Sequence, residues 1–156
     1  MITPQPPYPY ASAPRERLMA LTICQPWATA IACGVKRIDT RSWQTSHRGP
    51  LAIHAGLAYS PALLGDILDL VPELPPGPYP RGVVVAVCTL AAVAPMPEAP
   101  DDLERRLGWF GPRRYGWSLE DVRALPRPVT ARGSLGLWRV AEDAVRAIWE
   151  QIGGRP

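Results

Sequence analysis

The segment from residue 82 to residue 88 constrains the fold most strongly, because four of its seven residues are valine. β-Branched side chains fit the pleated surface of a sheet better than a helix, so this segment predicts a buried central strand. Residues 18–24 and 51–54 predict two further short strands, and residues 37–43 show the period-two alternation of another. Three more short strands are predicted over residues 115–119, 128–131 and 135–140.

Helix boundary signals occur at three places. Pro26 suits the first position of a helix that Gly34 ends, and Trp27 and Ile31 fall on one face of it. A second helix is predicted to begin at Ser60-Pro61, and a third closes the chain before Gly153. The apolar stripes of these two are Leu64, Ile67, Leu68 and Val71, then Val145, Ile148, Trp149 and Ile152. The whole pattern predicts an α+β fold, a small barrel with an early helix between its first two strands and a C-terminal helix.

Length and composition indicate one folded domain. A chain of 156 residues, 47% of them hydrophobic, can bury one ordinary core but not two. We expect residues 1–17 to be a disordered proline-rich tail and residues 18–156 to form the domain, with Met19 as an alternative start. The tail lacks the apolar core of a signal peptide. The longest apolar run, residues 82–94, is too short to span a bilayer.

The cysteines predict neither a disulfide framework nor a metal site. Cys24, Cys33 and Cys88 form no CxxC pair, and only His47 and His54 could complete a zinc set. An odd number of cysteines and the lack of a leader favour a cytoplasmic location. The sequence also has no phosphate-binding loop and no dinucleotide fingerprint, so we expect no metal and no cofactor.

One lysine, Lys36, stands among sixteen arginines. A general need for positive charge does not explain this exception. Lysine is a compact point charge whose pKa falls on burial, whereas arginine stays charged. Lys36 lies beside an acid, an arginine and two tryptophans, so it either marks a site or is an accident of composition. The net charge of +3 permits contact with nucleic acid without requiring it.

The start of the first helix predicts a cleft for an anionic, planar ligand. Gln25, Pro26 and Trp27 lie where a strand passes into a helix N-terminus, and the unpaired N–H groups there favour an anion. Trp27 could stack on a base or pack in the core, and Trp43 and Trp117 leave the same two alternatives. Trp117 is the better candidate for a pocket wall, because the glycine before it lets a ligand approach the backbone.

Charged residues near this cleft also leave alternatives open. Asp39 and Arg41 fall on the same face of a predicted strand, where they could form an ion pair or an acid–base pair. Further candidate contacts to nucleic acid lie in loops, where solvated side chains are the simpler interpretation. They are Arg48, Arg113, Arg114, Tyr115 and Arg132.

Several segments resemble the ASCH family, the activating signal cointegrator homology domain. Residues 25–28, 34–43 and 47–49 carry the specific part of the resemblance. Residues 79–82 and 132–138 add weaker matches. The resemblance implies a barrel like that of the PUA domain, with a cleft that binds RNA or a related nucleic acid. By position, Lys36 and Arg41 match the basic cleft residues of the family, and Asp39 stands where many members have glutamate.

Some small ASCH members resemble hydrolases that remove the acetyl group of acetylcytidine with a lysine, a threonine and a glutamate. Lys36 matches the lysine, but Asp39 occupies the threonine position, and Thr40 on a strand would face the other way. Other members have ribonuclease activity, which a lysine and an acid could support without metal. The glutamate has three candidates, namely Glu98, Glu104 and Glu120.

We therefore expect binding of RNA or a nucleotide first. The alternative is a metal-independent hydrolase acting on RNA or a modified nucleoside, with Lys36, Asp39 and Arg41 at its reaction centre. A protein-interaction module for the transcription or translation machinery is the third possibility.

Overall fold

The computed structural model describes residues 17–59, 69, 71–72, 74–95 and 97–154. Within them six strands and three helices have defined bounds. In chain order they are β1 (Met19–Gln25), α1 (Trp27–Ala32), β2 (Ile38–Arg41), β3 (Gly49–Tyr59), β4 (Val83–Pro95), α2 (Asp102–Leu107), β5 (Tyr115–Thr130), β6 (Leu137–Arg139) and α3 (Glu142–Gln151). The protein is therefore α+β as predicted, with an early helix between its first two strands and a late helix after the last.

The strands form one six-stranded sheet in the order β2-β5-β4-β3-β1-β6. Strand β1 runs parallel to β3, and the other neighbours are antiparallel. The valine-rich strand β4 lies between β3 and β5, so the prediction of a central strand is confirmed. The end strand β2 approaches β1, which is not its neighbour in the sheet order. Arg41 of β2 donates a 3.0 Å hydrogen bond to the Thr22 carbonyl oxygen in β1, so the sheet is curved. In the part of the chain that is described, strand pairing ends at β2 on one side and at β6 on the other.

Residues 115–130 form one long strand, so the prediction of two separate short strands was wrong. Strand β4 is 13 residues long and offers β5 a partner along its length. Pro126 and Pro128, which interrupt the local pattern, fall where the register shifts between Val84 and Ala86. A proline is tolerated at such an irregularity because it need not donate a ladder hydrogen bond.

The early helix begins one residue later than predicted, because Pro26 is its N-cap and α1 starts at Trp27. The predicted end is confirmed. Gly34 follows the C-cap residue Cys33 with φ of +76°, a conformation that side chains disfavour. Ile31 is fully buried and Trp27 is half-buried, so the helix rests on the sheet and leaves one tryptophan at its margin.

Two apolar clusters cover the sheet, and neighbouring residues of a strand join different clusters. Leu21 belongs to the cluster beneath α1, whereas Ala20 belongs to the cluster beneath α3. Successive side chains of a strand point to opposite faces, so α1 and α3 cover opposite faces. The α3 residues Val145, Ile148 and Trp149 are buried, which confirms the predicted core stripe.

Two predictions fall on residues that the structure does not describe. They are the disordered tail, apart from residue 17, and the helix beginning at Ser60. No described helix is long and apolar enough to cross a membrane.

The three cysteines should react at very different rates with iodoacetamide. Cys33 is exposed, Cys24 is half-buried, and Cys88 is buried with its thiol donating to the Leu51 carbonyl oxygen at 3.5 Å. Burial, helped by the Asp39 charge, raises the pKa of Cys88 to about 12. Since only the thiolate reacts, mass spectrometry at mildly alkaline pH should find Cys33 labelled first and Cys88 unlabelled until denaturant is added. Labelling of native Cys88 as fast as Cys33 would contradict the fold.

Candidate ligand-binding cleft

A cleft of about 800 Å³ opens where the ends of β1 and β3, the start of α1, strand β2 and the segment after α2 meet. Its walls combine cationic, aromatic and small side chains. The lining residues are Thr22, Ile23, Cys24, Trp27, Lys36, Asp39, Thr40, Arg41, Ser42, Trp43, Gly56, Leu57, Ala58, Arg106, Leu107, Gly108, Trp109 and Arg114.

The lone lysine of the chain lies at the base of this cleft and is only 3% exposed. Its Nζ donates to the carbonyl oxygen of Ile38 in β2 at 2.5 Å and to that of Leu107, the last residue of α2, at 3.0 Å. A cation is favoured at a helix C-terminus. An ammonium group has three donors, so one N–H is left without an acceptor among the described residues. Lys36 therefore ties α2 to the sheet.

Burial lowers the pKa of Lys36 from its ordinary value. The charges of Asp39 and Glu104 oppose this effect, and the nearby Arg41 guanidinium adds to it. The described residues place no carboxylate oxygen within ion-pair distance of Nζ. Lys36 therefore gives up its proton more readily than a solvated lysine does.

Asp39 and Arg41 form an ion pair, which was one of the two alternatives for this pair. Arg41 Nε lies 2.6 Å from Asp39 Oδ2, and Arg41 also donates to Thr22 in β1. Asp39 is buried, while about a quarter of the Arg41 side chain is exposed. The one carboxylate of the cleft lining is thus already neutralised by a lining residue.

Glu104 approaches Lys36 from α2 and is fully buried. Its Oε1 accepts the Arg37 backbone N–H, while Oε2 has no hydrogen-bond partner among the described residues. Asp101, the N-cap of α2, accepts the Glu104 N–H at 2.8 Å and pairs with Arg37 at 2.5 Å. The other candidate glutamates, Glu98 and Glu120, are exposed. Nothing local in the sequence distinguishes the three, because only the folded chain brings one of them to the lysine.

Six of the predicted site residues line the cleft. Trp27 is among them, so it is a wall residue rather than a purely core residue, and Trp43 lies beside it in the lining. The six are Trp27, Lys36, Asp39, Arg41, Trp43 and Arg114.

Trp117 was favoured as a pocket wall, and this prediction was wrong. Its side chain is fully buried and packs edge-to-face against Trp43, with the ring centroids 4.7 Å apart. Its Nε1 donates to the Trp43 carbonyl oxygen at 3.3 Å. Trp117 therefore supports a wall residue from behind and does not reach a ligand.

Gln25 also lies behind the cleft rather than in it. Its side chain is fully buried, accepts the Thr29 N–H at 3.0 Å and donates to the Pro80 carbonyl oxygen at 2.8 Å. It therefore occupies one of the helix N–H groups that were predicted to hold an anion. The remaining predicted contacts that the cleft lining does not include are Pro26, Arg48, Arg113, Tyr115 and Arg132. Arg48, for example, donates to carbonyl groups of its own turn.

Sequence reasoning missed Trp109, Leu57 and Arg106. All three line the cleft, and Trp109 and Leu57 are 69% and 76% exposed. A tryptophan flanked closely by two glycines, Gly108 and Gly111, was the signal in the sequence that could have identified Trp109. In the described chain no group of three or more His, Cys, Asp or Glu side chains could hold a metal ion.

Comparisons with known proteins agree with the fold. The family model of the ASCH domain matches residues 21–120. Activating signal cointegrator 1 of Homo sapiens, and likewise that of Mus musculus, is 51% identical over 35 residues. That match covers 22% of this chain and only 6% of either relative.

Solved structures add a match of the fold. A crystal structure of ASCH from Zymomonas mobilis superposes with a TM-score of 0.50 at 12% identity, covering 83% of this chain and 91% of that one. A Tyr-to-Phe variant of the Zymomonas mobilis protein gives a TM-score of 0.51 at 12% identity, covering 85% and 96%.

Replacing Lys36 should destabilise the fold even when positive charge is kept. In Lys36→Arg the longer, bulkier and planar guanidinium does not fit the buried position from which the compact ammonium reaches two carbonyl oxygens, and Lys36→Met loses both hydrogen bonds. Each variant should lose about 1–3 kcal/mol of unfolding free energy, as for charged hydrogen bonds. Thermal melting measures the loss, with Arg113→Lys as the control, because Arg113 is exposed and outside the cleft. A wild-type melting curve for Lys36→Arg would mean that the lone lysine is an accident of composition.

Proposed function

The chain belongs to the ASCH domain family, and from that premise we propose that its cleft binds single-stranded RNA or a nucleotide. One observation carries this proposal, namely the pairing of unneutralised positive charge with exposed aromatic surface in one cleft. Of the charged lining residues that the structure describes, Lys36, Arg41, Arg106 and Arg114 are cationic and Asp39 alone is acidic. Because Asp39 is paired with Arg41, the cleft keeps a positive potential.

A positive cleft with apolar walls concentrates field lines and attracts phosphate groups. The Lys36 N–H that is not used by Ile38 or Leu107 supports a direct contact to an oxygen anion. Trp27, whose ring centroid lies 5.9 Å from Lys36 Nζ, adds an aromatic surface beside that donor. Bases stack on such surfaces with little sequence preference, so we expect affinity for single strands without strong base selectivity.

The similar proteins give no further support for the binding of RNA. The cointegrator match covers a small part of that protein, and the Zymomonas mobilis structures support the fold alone. A protein-interaction module remains the third candidate, and failure of the chain to bind RNA at low salt would favour it.

Hydrolysis of RNA or of a modified nucleoside is our second candidate, favoured by the lowered pKa of Lys36 beside Glu104. A neutral amine in the cleft could take a proton from an attacking hydroxyl group and return it to the leaving group. Asp39 stands where the acetylcytidine hydrolases have threonine, and it is held by Arg41. This departure disfavours threonine-based chemistry and leaves Lys36 as the acid–base group.

Binding should weaken with salt, and one cleft arginine should contribute to that dependence. We expect log K for a labelled single-stranded RNA to fall linearly with log salt in fluorescence anisotropy. Arg106→Gln should reduce the slope by about 0.7, the value for one phosphate contact on a single strand. Arg113→Gln is the matched control, since it removes an equally exposed arginine outside the cleft lining. A flat salt profile, or equal effects of the two variants, would contradict the proposed cleft.

If the protein is a hydrolase, its pH profile should depend on Glu104. The Glu104 charge raises the pKa of Lys36, so Glu104→Gln should lower that pKa while keeping an acceptor for Arg37. Turnover that needs neutral Lys36 rises with pH through this pKa, and its rising limb should therefore move to lower pH. The assay is turnover of RNA and acetylcytidine, with Asp102→Asn at the exposed start of α2 as the control. If the rising limb of the pH profile does not move in Glu104→Gln, or if Lys36→Met is active, Lys36 is not the acid–base group.

A further inference from the structure

We propose that Trp109 is a preformed stacking platform for one nucleobase, supported from behind by Arg114. This inference rests on the proposed binding of RNA and names a contact within the same cleft. The Arg114 guanidinium carbon lies 4.4 Å from the centroid of the Trp109 ring, over its face. The ring is nevertheless 69% exposed. The cation therefore covers one face of this cleft-lining ring, and most of the side chain remains exposed.

The loop holds the ring in place before any ligand arrives. The backbone N–H of Trp109 donates to Thr40 Oγ1 in β2 at 3.2 Å, and this hydrogen bond anchors the loop to the sheet. A Cβ at Gly111 would lie 3.1 Å from Trp109 Nε1, and a Cβ at Gly108 would lie 2.7 Å from the Phe110 ring. Each aromatic side chain thus folds over a glycine two residues away. A ring fixed in this way loses little further freedom on binding.

Arg114 is positioned by the ring and not by a carboxylate. Its Nε is buried without a hydrogen-bond partner among the described residues, and none of their carboxylates lies within ion-pair distance of it. A cation over the face of an indole ring is attracted by the quadrupole of the ring. The charge of Arg114 therefore remains available to a phosphate next to the stacked base.

The cleft carries exposed apolar surface. Among the described residues the large exposed hydrophobic side chains are Leu57, Tyr59, Trp109 and Leu135, and the first and third line the cleft. Leu57 adds apolar surface to the same cleft. The positive charge of the cleft fits a nucleotide better than an apolar partner, because each base arrives with an anionic phosphate.

The chain contains a matched control for this arrangement. Arg81 lies over the ring of Tyr59 at 5.9 Å, and Tyr59 is 38% exposed. This is also an arginine on an exposed aromatic ring, but neither residue lines the cleft. Any effect of removing an exposed aromatic side chain in general should appear at Tyr59 as well as at Trp109.

The test compares a short single-stranded RNA with its fully abasic counterpart of equal length. Trp109→Ala should weaken binding of the RNA about tenfold or more, as expected for one lost stacking contact, and should weaken binding of the abasic strand much less, because that strand can lose only the phosphate contact of Arg114. Trp109→Phe should restore most of the affinity for RNA. Tyr59→Ala should change neither, and thermal melting should show all three variants folded, since both rings are exposed.

Equal weakening of both strands by Trp109→Ala would mean that the ring only shapes the loop, and unchanged RNA binding would mean that it contacts no base. Either result overturns the inference. If Arg106→Gln still weakens RNA binding in those cases, the proposed function stands and only the platform is wrong. If the wild-type protein binds no RNA at low salt, the proposed function itself is wrong.

Discussion

The hydrogen bonds of the buried Lys36 ammonium hold the cleft together. One nitrogen joins the Ile38 carbonyl group of β2 to the Leu107 carbonyl group of α2. The residues that follow α2 include Trp109, whose own N–H is anchored to β2 through Thr40. The sheet and the α2 segment are therefore fixed to one another at two points. These contacts set the distance between the lining residues of the two segments.

The buried charged groups Lys36 and Glu104 have an electrostatic cost. Burial lowers the pKa of Lys36 despite two nearby carboxylates, so desolvation outweighs their attraction. Glu104 Oε2 is buried without a partner among the described residues, and such an acceptor costs about 1–3 kcal/mol. Unsatisfied buried groups are uncommon in folded proteins and call for an explanation. Glu104 is not among the residues that line the cleft, so this cost arises in the buried support behind the cleft.

Local sequence patterns predicted the local parts of the fold. The valine run gave the central strand, Gly34 the end of α1, and the stripe around Ile148 the buried face of α3. Contacts between residues that are distant in the sequence could not be predicted from these patterns. The sequence left both Trp27 and Trp117 as candidates for a pocket wall or the core, yet the fold buries Trp117 and leaves Trp27 in the cleft. The α2 residue Glu104 reaches β2 only because the intervening chain folds back, which no periodicity encodes.

The rarity of lysine now has a physical explanation that does not depend on catalysis. The site needs a compact cationic donor that fits a buried position and reaches two carbonyl groups, and a small ammonium does so whereas a planar guanidinium is longer and bulkier. The same geometry leaves one N–H without an acceptor among the described residues, so support of the fold and the proposed contact with an anion would come from one group. A loss of RNA binding in Lys36→Arg would therefore not by itself identify a ligand contact. The variants at Arg106 and Trp109 distinguish a lost ligand contact from a lost support of the fold, because they alter exposed side chains on the cleft wall and leave the buried lysine in place.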